Sequence, residues 1–231
     1  MNSSSLSIII PSFNGAVFLA SLLPKVRSAL PAAEIIVVDD GSIDTTAAVT
    51  KSSADAIIYL QQPRCGPSAA RNYGLQKASS PMIAFLDIDD EWTGAHPTRA
   101  MAKIQQNDWE IVLGRTQCFI KGADETFAAY AEPFHTFLLG SAVMRRDIFE
   151  RIGGFDESLG YGEDLDWFLR AREAGVRMAL LDETVLHYRL HQQNLIVNPG
   201  AATRGMLHAL HLSIARRKNS SDVFCDLPLL S

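Results

Sequence analysis

Three aspartates crowd the end of one apolar run: Met82-Ile-Ala-Phe-Leu86 passes directly into Asp87-Ile-Asp89-Asp90. Carboxylates this close repel one another, so a positive partner is expected among them. Hard oxygen ligands favour Mg²⁺ or Mn²⁺, an ion that is usually shared with substrate phosphates. For an isolated pair of this kind, a solvated acidic loop is the competing explanation. Arg71, near the start of a helical pattern, could clamp a phosphate or pair with a surface carboxylate. Glu163 and Asp164 stand at the head of another helical pattern, where the helix dipole stabilises acids. His187, Arg189 and His191 would share one face of a strand, a source for a further metal ligand.

The elements that must position these groups follow from periodicity. Residues 82–86 have the length and composition of a strand buried on both faces, as in a parallel sheet, and ligands bind past the carboxyl ends of such strands. Leu6 to Ile10 is a like strand, stopped by Pro11-Ser-Phe-Asn-Gly15. A helix burying Phe18, Leu22, Val26 and Leu30 follows, with Pro24 kinking or dividing it. Residues 34–38 end in Asp39-Asp40-Gly41-Ser42, and Asp44 with Thr45 caps the next helix. A strand over 56–60 and a turn-rich loop lead to a helix over 69–78, with Pro67 suited to its first turn. After the acidic stretch come a helix over 97–106 and a strand over 110–113. Residues 115–145 read as mixed or antiparallel strands, and residues 153–156 as a turn. The helix from Glu163 carries Leu165, Phe168 and Leu169, and strands over 176–181 and 185–190 close the pattern. A last helix over about 201–218 would place Met206, Leu207, Leu210 and Ile214 on one face. Its basic end reads as packing or capping, or alternatively as a weak membrane-surface contact.

The bulk properties narrow the function classes. The 231 residues are 47% hydrophobic and 20% charged, which suits one domain with a sizeable core. A net charge of −5 leaves no overall basic field for nucleic acid. Cys65, Cys118 and Cys225 are odd in number and widely spaced, which fits a reducing compartment. No basic leader opens the chain, and Pro11, Asn14 and Gly15 interrupt its uncharged first stretch, so the expectation is a soluble cytoplasmic protein. No G-x-G-x-x-G or Walker-type loop is present. An EF-hand counted from Asp87 would need Gly at Trp92 and Glu at Thr98.

Six stretches in order carry a resemblance: Ser7-Ile-Ile-Ile-Pro-Ser-Phe-Asn-Gly15, Val37-Val-Asp-Asp-Gly-Ser-Ile-Asp44, Gly66-Pro-Ser-Ala-Ala-Arg-Asn72, Phe85-Leu-Asp-Ile-Asp-Asp90, Gly153-Gly-Phe-Asp156 and Gly162-Glu-Asp-Leu-Asp-Trp167. Together they resemble the family 2 glycosyltransferases with the GT-A fold. That resemblance implies a Rossmann-like α/β/α sandwich with a mostly parallel central sheet and a small mixed-strand acceptor-side region. The implied organisation is a nucleotide-binding half to about residue 114, an acceptor half over 115–195, a C-terminal helix over 200–218 and a flexible tail over 219–231. It further implies Mg²⁺- or Mn²⁺-dependent, inverting transfer from a nucleotide diphosphate sugar, usually a UDP-sugar. The acceptor would be a sugar or lipid-linked sugar hydroxyl, in polysaccharide, cell-envelope or glycolipid synthesis. Carried over by residue, Pro11, Ser12, Phe13 and Asn14 border the nucleobase, with Phe13 against its face, and Asp40 accepts from the uracil imide. Arg71 lies by the base or the phosphates and Asp87 nearer the ribose. Asp89, Asp90 and His191 hold the metal, with His187 the competing ligand. Asp164 is the base, and Glu163 and Trp167 join the substrate contacts. The alternative is a non-catalytic sugar-nucleotide binder of the same fold. Peripheral attachment at the inner membrane face and an oligomer are both compatible with this picture.

Overall fold

The computed structural model describes residues 5–53, 56–121, 127–190 and 199–219. Its centre is one mixed sheet with a run of parallel strands. β1 (Leu6–Ser12) pairs in parallel with β2 (Glu34–Asp39) on one side and β4 (Met82–Phe85) on the other, and β3 (Ile57–Gln61) extends β2. β9 (Ala142–Arg145) is antiparallel to both β4 and β6 (Ile111–Lys121), where β4, β6 and β10 (Met178–Leu190) share one direction. The short β5 (Glu91–Trp92) closes the far edge against β10, and β7 (Phe127–Ala129) and β8 (Phe134–His135) pair with β6.

The alternation of side chains along β1 explains the layers. Ile8 and Ile10 meet α1 (Ala16–Ala29) and α4 (His96–Gln106) through Leu19, Leu22, Leu23, Val26, Ala100 and Ile104. Ile9 faces the opposite core, with Ala70 of α3 (Pro67–Lys77), Ile148 of α5 (Asp147–Ile152), and Trp167, Phe168 and Ala171 of α6 (Glu163–Glu173). Ser7, wholly buried in this apolar strand, donates to Glu34 and accepts from Ser80 N–H at 3.1 Å, which removes the cost of burying its hydroxyl.

Several elements depart from their periodicity. Pro24 neither divides nor ends α1, and the buried face of that helix is Leu19, Leu22, Leu23 and Val26; Phe18 and Leu30 are half-buried. β10 is one strand where two were expected, because Leu181–Glu183 are absorbed as a bulge in its parallel register with β6. α5 has no counterpart in the periodicity, and the last helix is α7 (Pro199–Asn219). Met206, Leu207, Leu210 and Ile214, the residues that share one face of this helix, are 54%, 60%, 42% and 44% exposed. The face turned to α6 is instead small and polar: Gly205, Ala209 and Ser213. Arg216 bridges to Asp166 and Glu173 at 2.8 and 2.7 Å, so the basic end of α7 is partly a packing device. No helix among the described residues is long and apolar enough to cross a membrane. The tail expected from residue 219 lies almost wholly outside the described residues.

The contact between α6 and α7 rests on two glycines. Gly162 (α2 being Thr46–Ser53 and unrelated to this contact) precedes α6 with φ +81, and a Cβ there would stand 2.8 Å from the Gly205 carbonyl oxygen. A Cβ on Gly205 would meet the Tyr161 carbonyl oxygen at 2.6 Å. Gly162→Ala therefore combines left-handed strain with a backbone clash. It should lower stability by about 1–3 kcal/mol, read as a reduced urea midpoint with unchanged slope.

Candidate active site

The carboxyl ends of β1, β2 and β4 face the amino ends of α3 and α6, and every described acid of interest lies along that rim. At the β1–β2 end the loops are tied to one another. Asn14, at φ +49, accepts from Ile43 N–H at 3.0 Å, and its own N–H donates to Ser42 Oγ at 2.8 Å. Pro11 and Ser12 are buried within β1, so Phe13 and Asn14 are the residues of this stretch that reach the surface. Arg64 stacks its guanidinium 3.5 Å above the Phe13 ring, covering one face of it. Asp40 is buried and already accepts three bonds: from Gln62 Nε2 at 2.7 Å, Cys65 N–H at 2.8 Å and Gly66 N–H at 2.9 Å. It shapes the loop that starts α3, and a carboxylate with about four acceptor positions keeps one in reserve.

At the centre of the rim Arg71 is 5% exposed. Its Nη2 donates to both oxygens of Asp87, at 2.9 and 3.2 Å, and its Nη1 donates to Glu163 at 2.9 Å with Asp164 at 3.8 Å. Both terminal nitrogens of the guanidinium thus face carboxylates, so of the two roles its position allowed the pairing with carboxylates is the one seen, while Nε has no hydrogen-bond partner among the described residues. Asp164 receives Leu139 N–H on Oδ2 at 3.2 Å, while Oδ1 has no hydrogen-bond partner among the described residues. Burial pushes its carboxyl up to about 7; Arg71 opposes this, and the neighbouring Glu163 and Asp87 add to it. The turn that offers Leu139 N–H is held by Trp92, whose indole donates to Gly140 C=O at 2.7 Å.

Asp90 is buried, and burial together with the charges of Asp89 and Asp87 holds its carboxyl well above the usual range. Arg189 N–H donates to it at 3.3 Å. A buried carboxylate beside a second one suits a divalent cation in charge and in ligand hardness. Among the described residues no three His, Cys, Asp or Glu side chains come together as a ready metal site. His191, the expected third ligand, lies outside the described residues. His187 packs edge-on against Phe119 at 4.7 Å and adjoins Glu91.

Trp167 does not line the cleft. It is wholly buried, stacks on Phe149 at 4.7 Å, and donates to Gly153 C=O at 3.1 Å, bracing α6 from behind. Asn72 was not singled out by spacing as a site residue, yet it clasps the 153–155 turn, donating to Phe155 C=O at 2.9 Å and accepting its N–H at 2.8 Å. Its place beside Arg71 in one motif and the paired glycines of the other were the available signal. Trp92 and Leu139 carried no such signal.

Comparison with known proteins bears on the family and the fold. Residues 7–155 match the family described as Glycosyl transferase family 2, so the chain belongs to that family. The uncharacterized glycosyltransferase EpsJ of Bacillus subtilis (strain 168) is 29% identical over 217 residues, covering 84% of this chain and 63% of EpsJ. The chain spans less than two thirds of the length of the first curated relatives it matches. The S. aureus TarS 1-349 structure in complex with UDP-GlcNAc superposes with a TM-score of 0.74 at 19% identity, covering 95% of this chain and 68% of TarS 1-349. The mannosyltransferase PcManGT from Pyrobaculum calidifontis, in complex with GDP-Man and Mn²⁺, gives 0.75 at 16% identity, covering 93% and 65%. Both share the GT-A-type fold.

Arg71→Gln would leave its carboxylates without their shared cation. The expected loss is about 3 kcal/mol, the low end for a broken buried pair, because Asp87 keeps 40% of its side chain exposed. Measured by denaturant titration, the deficit should shrink towards acid pH, where protons neutralise the orphaned acids. Arg71→Lys, with one point charge in place of a fork, should recover only part of it.

Proposed function

We propose that the chain transfers a sugar from a nucleotide diphosphate sugar, with UDP the expected carrier, to a hydroxyl acceptor, with inversion at the anomeric carbon. The observation that carries this reading is Asp164: a half-buried carboxylate with one oxygen accepting Leu139 N–H and the other facing Arg71 at 3.8 Å without a hydrogen bond, across Arg71 from the acidic turn after β4, and poised to titrate near neutrality. A general base works best with its pKa near the operating pH. Family membership and neighbours solved with UDP-GlcNAc or with GDP-Man and Mn²⁺ support the donor class.

In this scheme Asp164 takes the proton of the acceptor hydroxyl as that oxygen bonds to the anomeric carbon and the bond to the diphosphate breaks. Arg71 and Leu139 N–H fix the carboxylate, and Glu163 completes the grip on Arg71. Asp40 has room for one further donor, which fits a base imide N–H, and Phe13 follows Ser12, whose C=O accepts Asp40 N–H at 2.8 Å. Asp89 and Asp90 would hold Mg²⁺ or Mn²⁺. A divalent ion bound there supplies Lewis-acid stabilisation of the departing diphosphate.

Asp164→Asn should reduce transfer by about 10²–10⁴-fold while UDP binding, followed by calorimetry, stays within about twofold, below the 1.4 kcal/mol that a tenfold change represents. Near-normal transfer by this variant would remove Asp164 from the mechanism. In the wild type, kcat/KM should rise with pH through about 7, because the ionised form of Asp164 is the one that accepts a proton. A rate that falls across that interval would contradict the assignment.

A further inference from the structure

The outward face of α7 has no place in the chemistry above. Met206, Leu207, Leu210 and Ile214 fall within an arc of about 100° on a helix of 3.6 residues per turn, and all four are exposed. Arg204, His211 and Lys218 border the same arc, Arg217 lies at its end, and these four are exposed as well. Residues 199–219 contain four Lys or Arg and no Asp or Glu, in a chain whose net charge is −5. The helix cannot rotate to bury the stripe. Its opposite face is fixed to α6 by the wholly buried Ala209, by Ser213 and by the Arg216 bridges to Asp166 and Glu173.

We propose that this face docks on an anionic lipid bilayer, with α7 lying in the interface plane, its leucines in the headgroup–acyl boundary and its basic flank on the headgroups. The charge pattern selects this occupant. A second copy packed on the same face would bring two purely basic helices together, which like-charge repulsion opposes. The location gives the docking a use that rests on the glycosyltransferase reading. α7 sits on Tyr161 and Gly162 through Gly205, one residue before Glu163 and two before Asp164. A chain held this way presents its base close to the membrane plane, where the hydroxyl of a lipid-anchored acceptor resides.

The test is sedimentation of the full chain with phosphatidylglycerol–phosphatidylcholine vesicles, with phosphatidylcholine vesicles as control. The wild type should partition onto the anionic vesicles and much less onto the neutral ones. Leu207→Ser with Leu210→Ser should weaken partitioning at least about tenfold. Arg217→Gln with Lys218→Gln should weaken it about tenfold at low salt and little at high salt. Neither variant should alter UDP binding. Absence of binding, or binding indifferent to both variants, overturns the proposal. So does a wild-type dimer that the leucine variant abolishes, which would assign the face to a second copy. Binding seen only after removal of residues 220–231, whose sole charges are Asp222 and Asp226, would assign it to that segment and equally overturn it. The two readings fail separately: Asp164→Asn should still sediment with vesicles, and a chain that binds vesicles but turns over no donor would sink the enzymatic reading alone.

Discussion

A single buried cation organises the rim of this sheet. Arg71 comes from α3, Asp87 from the end of β4, and Glu163 with Asp164 from the start of α6, more than ninety residues further on. An uncompensated charge in such a place costs several kcal/mol, so the guanidinium needs these carboxylates as they need it. The constraint runs both ways. The carboxylates hold the guanidinium in its planar fork, and the guanidinium holds the acidic turn against the helix that carries the candidate base. Since Asp164 lies at 3.8 Å rather than in direct contact, it receives only part of that compensation, and burial still raises its pKa. The balance leaves one of the acids titrating near neutrality while its neighbours do the structural pairing.

That arrangement also explains why the loops around it are so heavily tied. Asp40 fixes the approach to α3 with three N–H bonds, and Asn72 fixes the 153–155 turn from the residue next to Arg71. Trp92 reaches from beside the acidic turn to Gly140 and so sets the N–H that meets Asp164. Each tie joins the strand that brings a carboxylate to the segment that must face it. A shift of about 1 Å in any of them would displace the candidate base and its partners, the scale on which positioning alters rate.

The parallel half of the fold was legible because its strands are buried on both faces and read as unbroken apolar runs, and because Pro, Gly and Asp mark where they stop. The acids and Arg71 were legible as residues, and the family motifs supplied their roles. What the sequence hid was direction. Periodicity shows that α7 has an apolar stripe but not which way it points, and here tight glycine packing and ion pairs outweigh the burial of four large side chains. Trp167 was misjudged for a related reason: its neighbours in the motif are acids at the cleft, yet a turn of helix carries its ring into the opposite core. In β10 the polar Asp182 and Glu183 suggested a break, whereas a bulge lets the ladder with β6 resume beyond them.

Gly162 joins these two themes. Its left-handed backbone turns the chain so that Glu163 and Asp164 enter α6 facing Arg71, and the same absence of a side chain admits the Gly205 backbone of α7. One residue therefore sets both the direction of the candidate base and the seat of the helix whose apolar face looks outward. A larger residue there could not be relieved by a side-chain rotation, since the opposing atoms are backbone. The geometry of the site and the exposure of α7 are consequences of one close approach, and a change in either is transmitted to the other through a contact with no slack.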